Sequence, residues 1–151
     1  MRIYLVVIDE SEEAQKALRF ASRRVSDKGD AVHILAVVEK QNFTAFGAVQ
    51  ATIEEEAHDR AEAIASSAAG NLFSESGRMP KITVRTGEPH EVVRTYLDEH
   101  PEVVALVLGA AAEGSPGPLI AHFASHTASL PCPLYIVPGR FTTEEIDSLA
   151  S

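Results

Sequence analysis

The 151-residue chain has one cysteine, Cys132, so no disulfide forms within it, and a reducing compartment fits. No apolar run approaches the ~20 residues of a membrane span, so no membrane partner is expected. Basic residues are outnumbered, with 13 Lys and Arg against 22 Asp and Glu, for a formal net charge of -9. That balance argues against nucleic acid or an anionic membrane as a partner, because either calls for a basic patch. A small anionic ligand stays open, since it needs only local donors. Catalytic signatures are missing as well: there is no G-x-x-x-x-G-K-[ST] loop, no nucleophile elbow and no C-x-x-C pair. The chain is therefore read as a non-enzyme. The opening run Ile3–Ile8 is six residues long without a cleavage site and reads as a strand, not a signal peptide, so a cytoplasmic location is expected.

What is present is alternation. Ile3–Ile8, Ala31–Val38 and Val103–Leu108 are continuous apolar runs, the pattern of strands buried on both faces. Lys81–Thr86 alternates and reads as an edge strand, and Leu134–Val137 as a fifth strand. Helical spacing lies between them. Ser11 caps a helix bearing Ala14, Ala17, Leu18, Ala21 and Val25. A second helix places Ile53, Ala57, Ala61, Ile64, Ala68 and Leu72 on one face, after a loop read over Glu39–Val49. Pro89 opens a third helix, which Pro101 ends, and Pro118–Ser129 is a fourth. Thr142-Thr-Glu-Glu145 has the pattern of a capping box for a short helix in the tail 139–151. Strict β/α alternation implies one domain with a parallel sheet and right-handed crossovers, two helices on each face.

The sharpest local signal is Val103–Leu108 followed by Gly109-Ala-Ala-Ala-Glu-Gly-Ser-Pro-Gly117. Ligands of parallel sheets sit at the carboxyl ends of strands, beside such loops. The glycines have two readings. They serve positive-φ turns, or they let backbone donors approach a phosphate beside a helix start.

Four short motifs carry a resemblance. Ile8-Asp-Glu-Ser11 is similar to the V-D-G-S that opens universal stress proteins. Thr86-Gly-Glu-Pro89 resembles their G-D-P or G-E-P turn, and Leu106-Val-Leu-Gly109 their L-I-V-M-G strand end. Leu130-Pro-Cys-Pro133 with Leu134-Tyr-Ile-Val137 resembles A-P-C-P-V-L-V-V. The match covers residues 1–138 and leaves the tail outside. It implies an open five-stranded α/β sheet in order 3-2-1-4-5 with helices on both faces, of the adenine nucleotide alpha hydrolase-like type. It also implies a homodimer paired through Leu134–Val137, acting on a protein partner that the sequence does not name.

One branch of the family binds ATP or AMP through G-x-x-G-x9-G-[ST]. Here Gly109 matches the first glycine, but Ala112, His122 and Phe123 occupy the other positions. Gly114, Ser115 and Gly117 would rebuild a phosphate loop of altered geometry, and no Lys or Arg lies between Gly109 and Pro138. Asp9 sits at the position of the nucleotide-contacting aspartate, or else begins the turn into the first helix. Val38 sits near the residue whose backbone lines the adenine pocket. The resemblance thus implies a regulatory module holding ATP or AMP on Asp9, Val38, Gly109, Gly114, Ser115 and Gly117. The alternative is a non-binding member that works by dimerisation and partner contact. An adenylate-using synthetase would need S-G-G-x-D-S where the chain reads Asp9-Glu-Ser-Glu-Glu13, which is acidic and lacks glycine. No metal is expected: His122 and His126 are four apart but lack a third ligand and the H-E-x-x-H glutamate. His33 reads as a satisfied interior histidine and Cys132 as a small buried residue.

Overall fold

Each apolar run becomes a strand of one sheet. The computed structural model describes residues 2–25, 29–40 and 47–150. The elements are β1 (Ile3–Val7), α1 (Glu12–Arg24), β2 (Ala31–Val38), α2 (Gly47–Ser76), β3 (Lys81–Thr86) and α3 (Pro89–Glu99). They continue with β4 (Val103–Ala110), α4 (Pro118–Ser125), a 3-10 turn (Thr127–Ser129), β5 (Leu134–Pro138) and α5 (Thr143–Ala150). The strands pair in the order β3-β2-β1-β4-β5, all parallel, as expected.

The pleat divides the core in two. Tyr4, Val6, Ile34, Ala36, Ala105 and Val107 face α1 and α2, while Ile3, Leu5, Leu35, Leu106 and Leu108 face α3 and α4. Leu5, Ile34, Leu35 and Leu106 are fully buried, each contributing roughly 1.5–3 kcal/mol of apolar transfer. Two helices lie on each face, and α5 adds a third element on the α1 side through Ile146. There Arg19 holds Asp147 with two bonds of 2.8 Å, and Arg23 reaches the same carboxylate at 3.1 Å. The tail therefore docks on its own chain. Its capping box is real: Glu145 N donates to Thr142 Oγ1 at 3.2 Å, and Thr142 N to Glu145 Oε1 at 3.1 Å.

Several boundaries move. Helix α2 starts at Gly47, inside the stretch read as a loop, and runs to Ser76. No proline interrupts Ala48-Val-Gln-Ala51, and Ala and Gln propagate a helix well. The rest of that loop, residues 41–46 with both its phenylalanines, lies outside the described residues. Strand β4 absorbs Gly109 and Ala110, which pair with Val137 and Pro138. Helix α4 stops at Ser125, and a 3-10 turn finishes the span. Among the described residues no helix is long and apolar enough to cross a membrane.

His33 is the interior histidine expected: it is buried, and its Nδ1 lies 2.7 Å from the Tyr96 hydroxyl. Cys132 is half-buried, and that burial raises its thiol pKa above the usual value.

Candidate functional site

The carboxyl ends of β1, β2 and β4 open into two adjoining chambers on either side of the turn at Asp9. One, about 360 Å³, is lined by Asp9, Ser11, Glu13, Gly109, Gly117 and the first turn of α4. The other, about 400 Å³, is lined by Asp9, Ser11, Val38, Glu39, Arg60 and Ile64. A larger groove of about 550 Å³ runs between α1, α2 and α5, away from the strand ends. Its Arg19 is committed to Asp147 at 2.8 Å and Glu75 at 3.5 Å, so the strand-end chambers are the better candidate.

The turn is built locally. Asp9 Oδ1 accepts from Ser11 N at 2.8 Å and from Ser11 Oγ at 2.5 Å. Ser11 Oγ in turn accepts from Ala14 N at 3.2 Å and caps α1. One oxygen of Asp9 therefore shapes the turn, and the exposed carboxylate still borders both chambers. Val38 joins Asp9 in the second chamber, with its carbonyl oxygen accepting from Gly87 N at 2.9 Å.

Gly109 has a packing reason of its own. A Cβ there would stand 2.0 Å from the carbonyl oxygen of Glu13, so only glycine lets α1 start this close to β4. Gly114 (φ +76) and Gly117 (φ +123) are different: each has positive φ and open space where a Cβ would lie. Ala111 N donates to Pro116 O at 3.2 Å and closes the loop between them. Gly117 precedes Pro118 at the start of α4, whose next two residues, Leu119 and Ile120, line the first chamber and have N–H groups with no carbonyl partner within the helix.

The six site residues expected from the sequence thus divide. Asp9, Val38, Gly109 and Gly117 line the chambers, whereas Gly114 and Ser115 sit on the exposed loop and line neither. Ala112 is exposed on the same loop, and Phe123 is buried in the core on the α3–α4 face. His122 is stacked between His90 and His126. Sequence spacing did not find Glu13, Glu39 or Arg60. Arg60 is the one cation among the described lining residues, and it comes from the middle of α2, far from any recognisable motif. It lines the same chamber as Asp9, Glu10 and Glu39.

Residues 1–138 match the model of the Universal stress protein family. The chain belongs to the universal stress protein family. No curated protein matches it. Among solved structures, this universal stress protein resembles UspA from Lactobacillus plantarum, with a TM-score of 0.72 at 21% identity over 90% of this chain and 97% of that one. It also resembles a universal stress protein solved in complex with cAMP, at TM-score 0.64 and 16% identity over 90% and 96% of the two chains. The Archaeoglobus fulgidus universal stress protein in complex with dAMP matches at TM-score 0.58 and 18% identity over 91% and 97%. Identities this low establish the shared fold of this universal stress protein with those neighbours.

Proposed function

We propose that this universal stress protein is a ligand-sensing module, not an enzyme, that takes an adenine nucleotide at the carboxyl ends of β1 and β4. The carrying observation is the pair of chambers around Asp9, with Val38 bordering one and Gly109, Gly117 and the start of α4 bordering the other. The nucleoside enters between Asp9 and Val38, and the phosphate meets the free N–H groups opening α4. Neighbours solved with cAMP and dAMP support the ligand class. Gly114 and Ser115 then act by folding the exposed loop over the phosphate.

The walls favour few phosphate charges. Asp9, Glu13 and Glu39 line the chambers, and Arg60 is the lone cation among the described lining residues. AMP is the preferred form, and ATP the weaker ligand. Ligand binding orders the loop 111–117 and changes the surface offered to a protein partner.

A second reading has its own observation. Phe123 is 2% exposed and spent on core packing, and His122 is held in a ring stack, so the family's second phosphate element is absent. On that reading the protein works through dimerisation along β5, whose Ile136 is 43% exposed at the sheet edge, and through a protein partner. Native mass spectrometry of the freshly purified chain, with AMP and ATP titrated in, separates the two. An added mass of one nucleotide per chain supports the first. An unliganded protein at millimolar nucleotide overturns it and leaves the second.

A further inference from the structure

The tail helix α5 begins beside the strand-end site. Residues 1–138 match the family model, so α5 lies beyond the matched domain. The joint is Gly139, which is buried and directly follows the pairing of Pro138 with Ala110. A Cβ at Gly139 would stand 2.4 Å from Ala110 O and 3.0 Å from Ala112 N, both backbone atoms at the root of the loop 111–117. It would also stand 3.3 Å from Cβ of Glu13, which forms part of the first chamber's wall. Lys16, further along α1, donates from Nζ to the carbonyl oxygen of Gly139. Loop root, chamber wall and tail therefore meet at one glycine, with no space for even a methyl group.

Beyond this joint the tail is a two-state element. Its helix has eight residues, too few to stand alone in water, so α5 is helical only while it is docked. The docked form rests on buried Ile146 and Ala150 and on the hold of Arg19 and Arg23 on Asp147. A segment with so small a buried face opens locally at low free energy. The loop is of the same kind: residues 112–116 are exposed, and the bond from Ala111 N to Pro116 O at 3.2 Å closes it.

We propose that α5 is a regulatory strap whose docking on α1 is coupled, through Gly139, to the closed form of the loop 111–117. A ligand in the first chamber then tightens the tail, and the docked tail tightens the ligand. The direction follows from the contact. Gly139 seats only against Ala110 and Ala112 as they now stand, and a ligand that folds the loop holds them there. Such coupling is reciprocal, so each event favours the other by the same factor. Release of the strap uncovers α1 where Ile146 packs, and that is the changed surface offered to a protein partner. The identity of the ligand rests on the nucleotide reading, whereas the coupling of loop to tail stands apart from it.

Amide hydrogen exchange on the full chain reads both elements at once. Asp147→Lys sets a like charge against Arg19 and Arg23 and leaves the joint untouched. In the nucleotide-free protein, the Ile146 amide, which donates to Thr142 O, should exchange about tenfold faster in this variant. The Ala111 amide should quicken with it by about fivefold or more, while amides of β1 and β2 keep their wild-type rates. An Ala111 rate unchanged while α5 opens overturns the coupling, and an α5 that exchanges as in wild type overturns the two-state tail. Saturating AMP, its occupancy followed by calorimetry, should slow the α5 amides of the wild-type protein about fivefold or more. Bound AMP with α5 unchanged overturns the coupling and leaves the nucleotide reading intact. Absence of AMP binding overturns that reading, and the nucleotide-free comparison then decides the coupling by itself.

Discussion

Replacing Gly109 with alanine tests whether this glycine serves packing or ligand. A Cβ at Gly109 would stand 2.0 Å from the Glu13 carbonyl oxygen and 2.4 Å from its carbonyl carbon. Both obstacles are backbone in the first turn of α1, so no rotamer change relieves the overlap. Helix α1 must shift outward by roughly 1 Å, and the interior resists such shifts because it is close-packed. That helix carries Ala14, Ala17, Leu18 and Ala21, all buried against the sheet. Overpacking costs ~1–3 kcal/mol, and a backbone obstacle puts Gly109→Ala at about 3 kcal/mol. For a domain of this size that lowers Tm by roughly 6–12 °C. Urea unfolding followed by circular dichroism should show an earlier midpoint with an unchanged slope. Gly114→Ala is the control: its φ of +76 costs about 1–2 kcal/mol in strain, with nothing within 4 Å to strike. A Gly109→Ala protein within about 0.5 kcal/mol of wild type, the range of an ordinary surface change, would refute the packing argument.

Three further outcomes are expected. Arg19 and Arg23 hold the Asp147 carboxyl below its ordinary pKa, so its contribution is present above the usual carboxylate value and lost as pH falls through the depressed one. Asp147→Asn should therefore flatten the acid limb of the Tm–pH curve and speed amide exchange in α5, and an unchanged limb with unchanged exchange counts against the docking. Burial, with Lys81 and His100 behind it, holds His33 below its ordinary value. The neutral ring is the folded form, so stability is full above about pH 6.5 and declines as pH falls from there toward the depressed value. His33→Gln should remove that slope in urea titrations, and a slope that survives assigns it elsewhere. Ile136→Asp places a charge on an exposed edge position, so Tm should barely move while any dimer seen by light scattering dissociates. A large fall in Tm with unchanged mass would mean that Ile136 is a core residue.

The sheet was legible because its central strands are buried on both faces and need unbroken apolar runs, as in Ile3–Val7 and Ala31–Val38. Strand order came from the family resemblance, not from periodicity. The ends of elements were less legible. Gly109 and Ala110 look like loop, yet pairing with Val137 and Pro138 on β5 carries them into β4. The start of α2 was hidden because Gly47 reads as a turn residue and the apolar periodicity only begins further along, at Ile53. Capping of α1 and α5 was readable, since Ser11 and Thr142 act over three residues. The docking of α5 on α1 was not, because Arg19 and Asp147 are far apart in sequence. The site divided the same way. Asp9 and Gly117 follow from a strand end and a helix start and Val38 from the family resemblance, whereas Arg60 arrives through tertiary packing alone. Gly109 carries a second reason that its motif does not show: packing against the Glu13 backbone independently requires glycine there.

Calorimetric titration of AMP and then ATP, each without added metal, is the most direct test of the central claim. The account predicts saturable AMP binding at one site per chain, ATP weaker by at least tenfold (~1.4 kcal/mol or more), and loss of AMP binding in Asp9→Ala. Equal or tighter ATP binding would contradict the charge argument drawn from Asp9, Glu13 and Glu39. No heat from either nucleotide at millimolar concentration would contradict the nucleotide site itself.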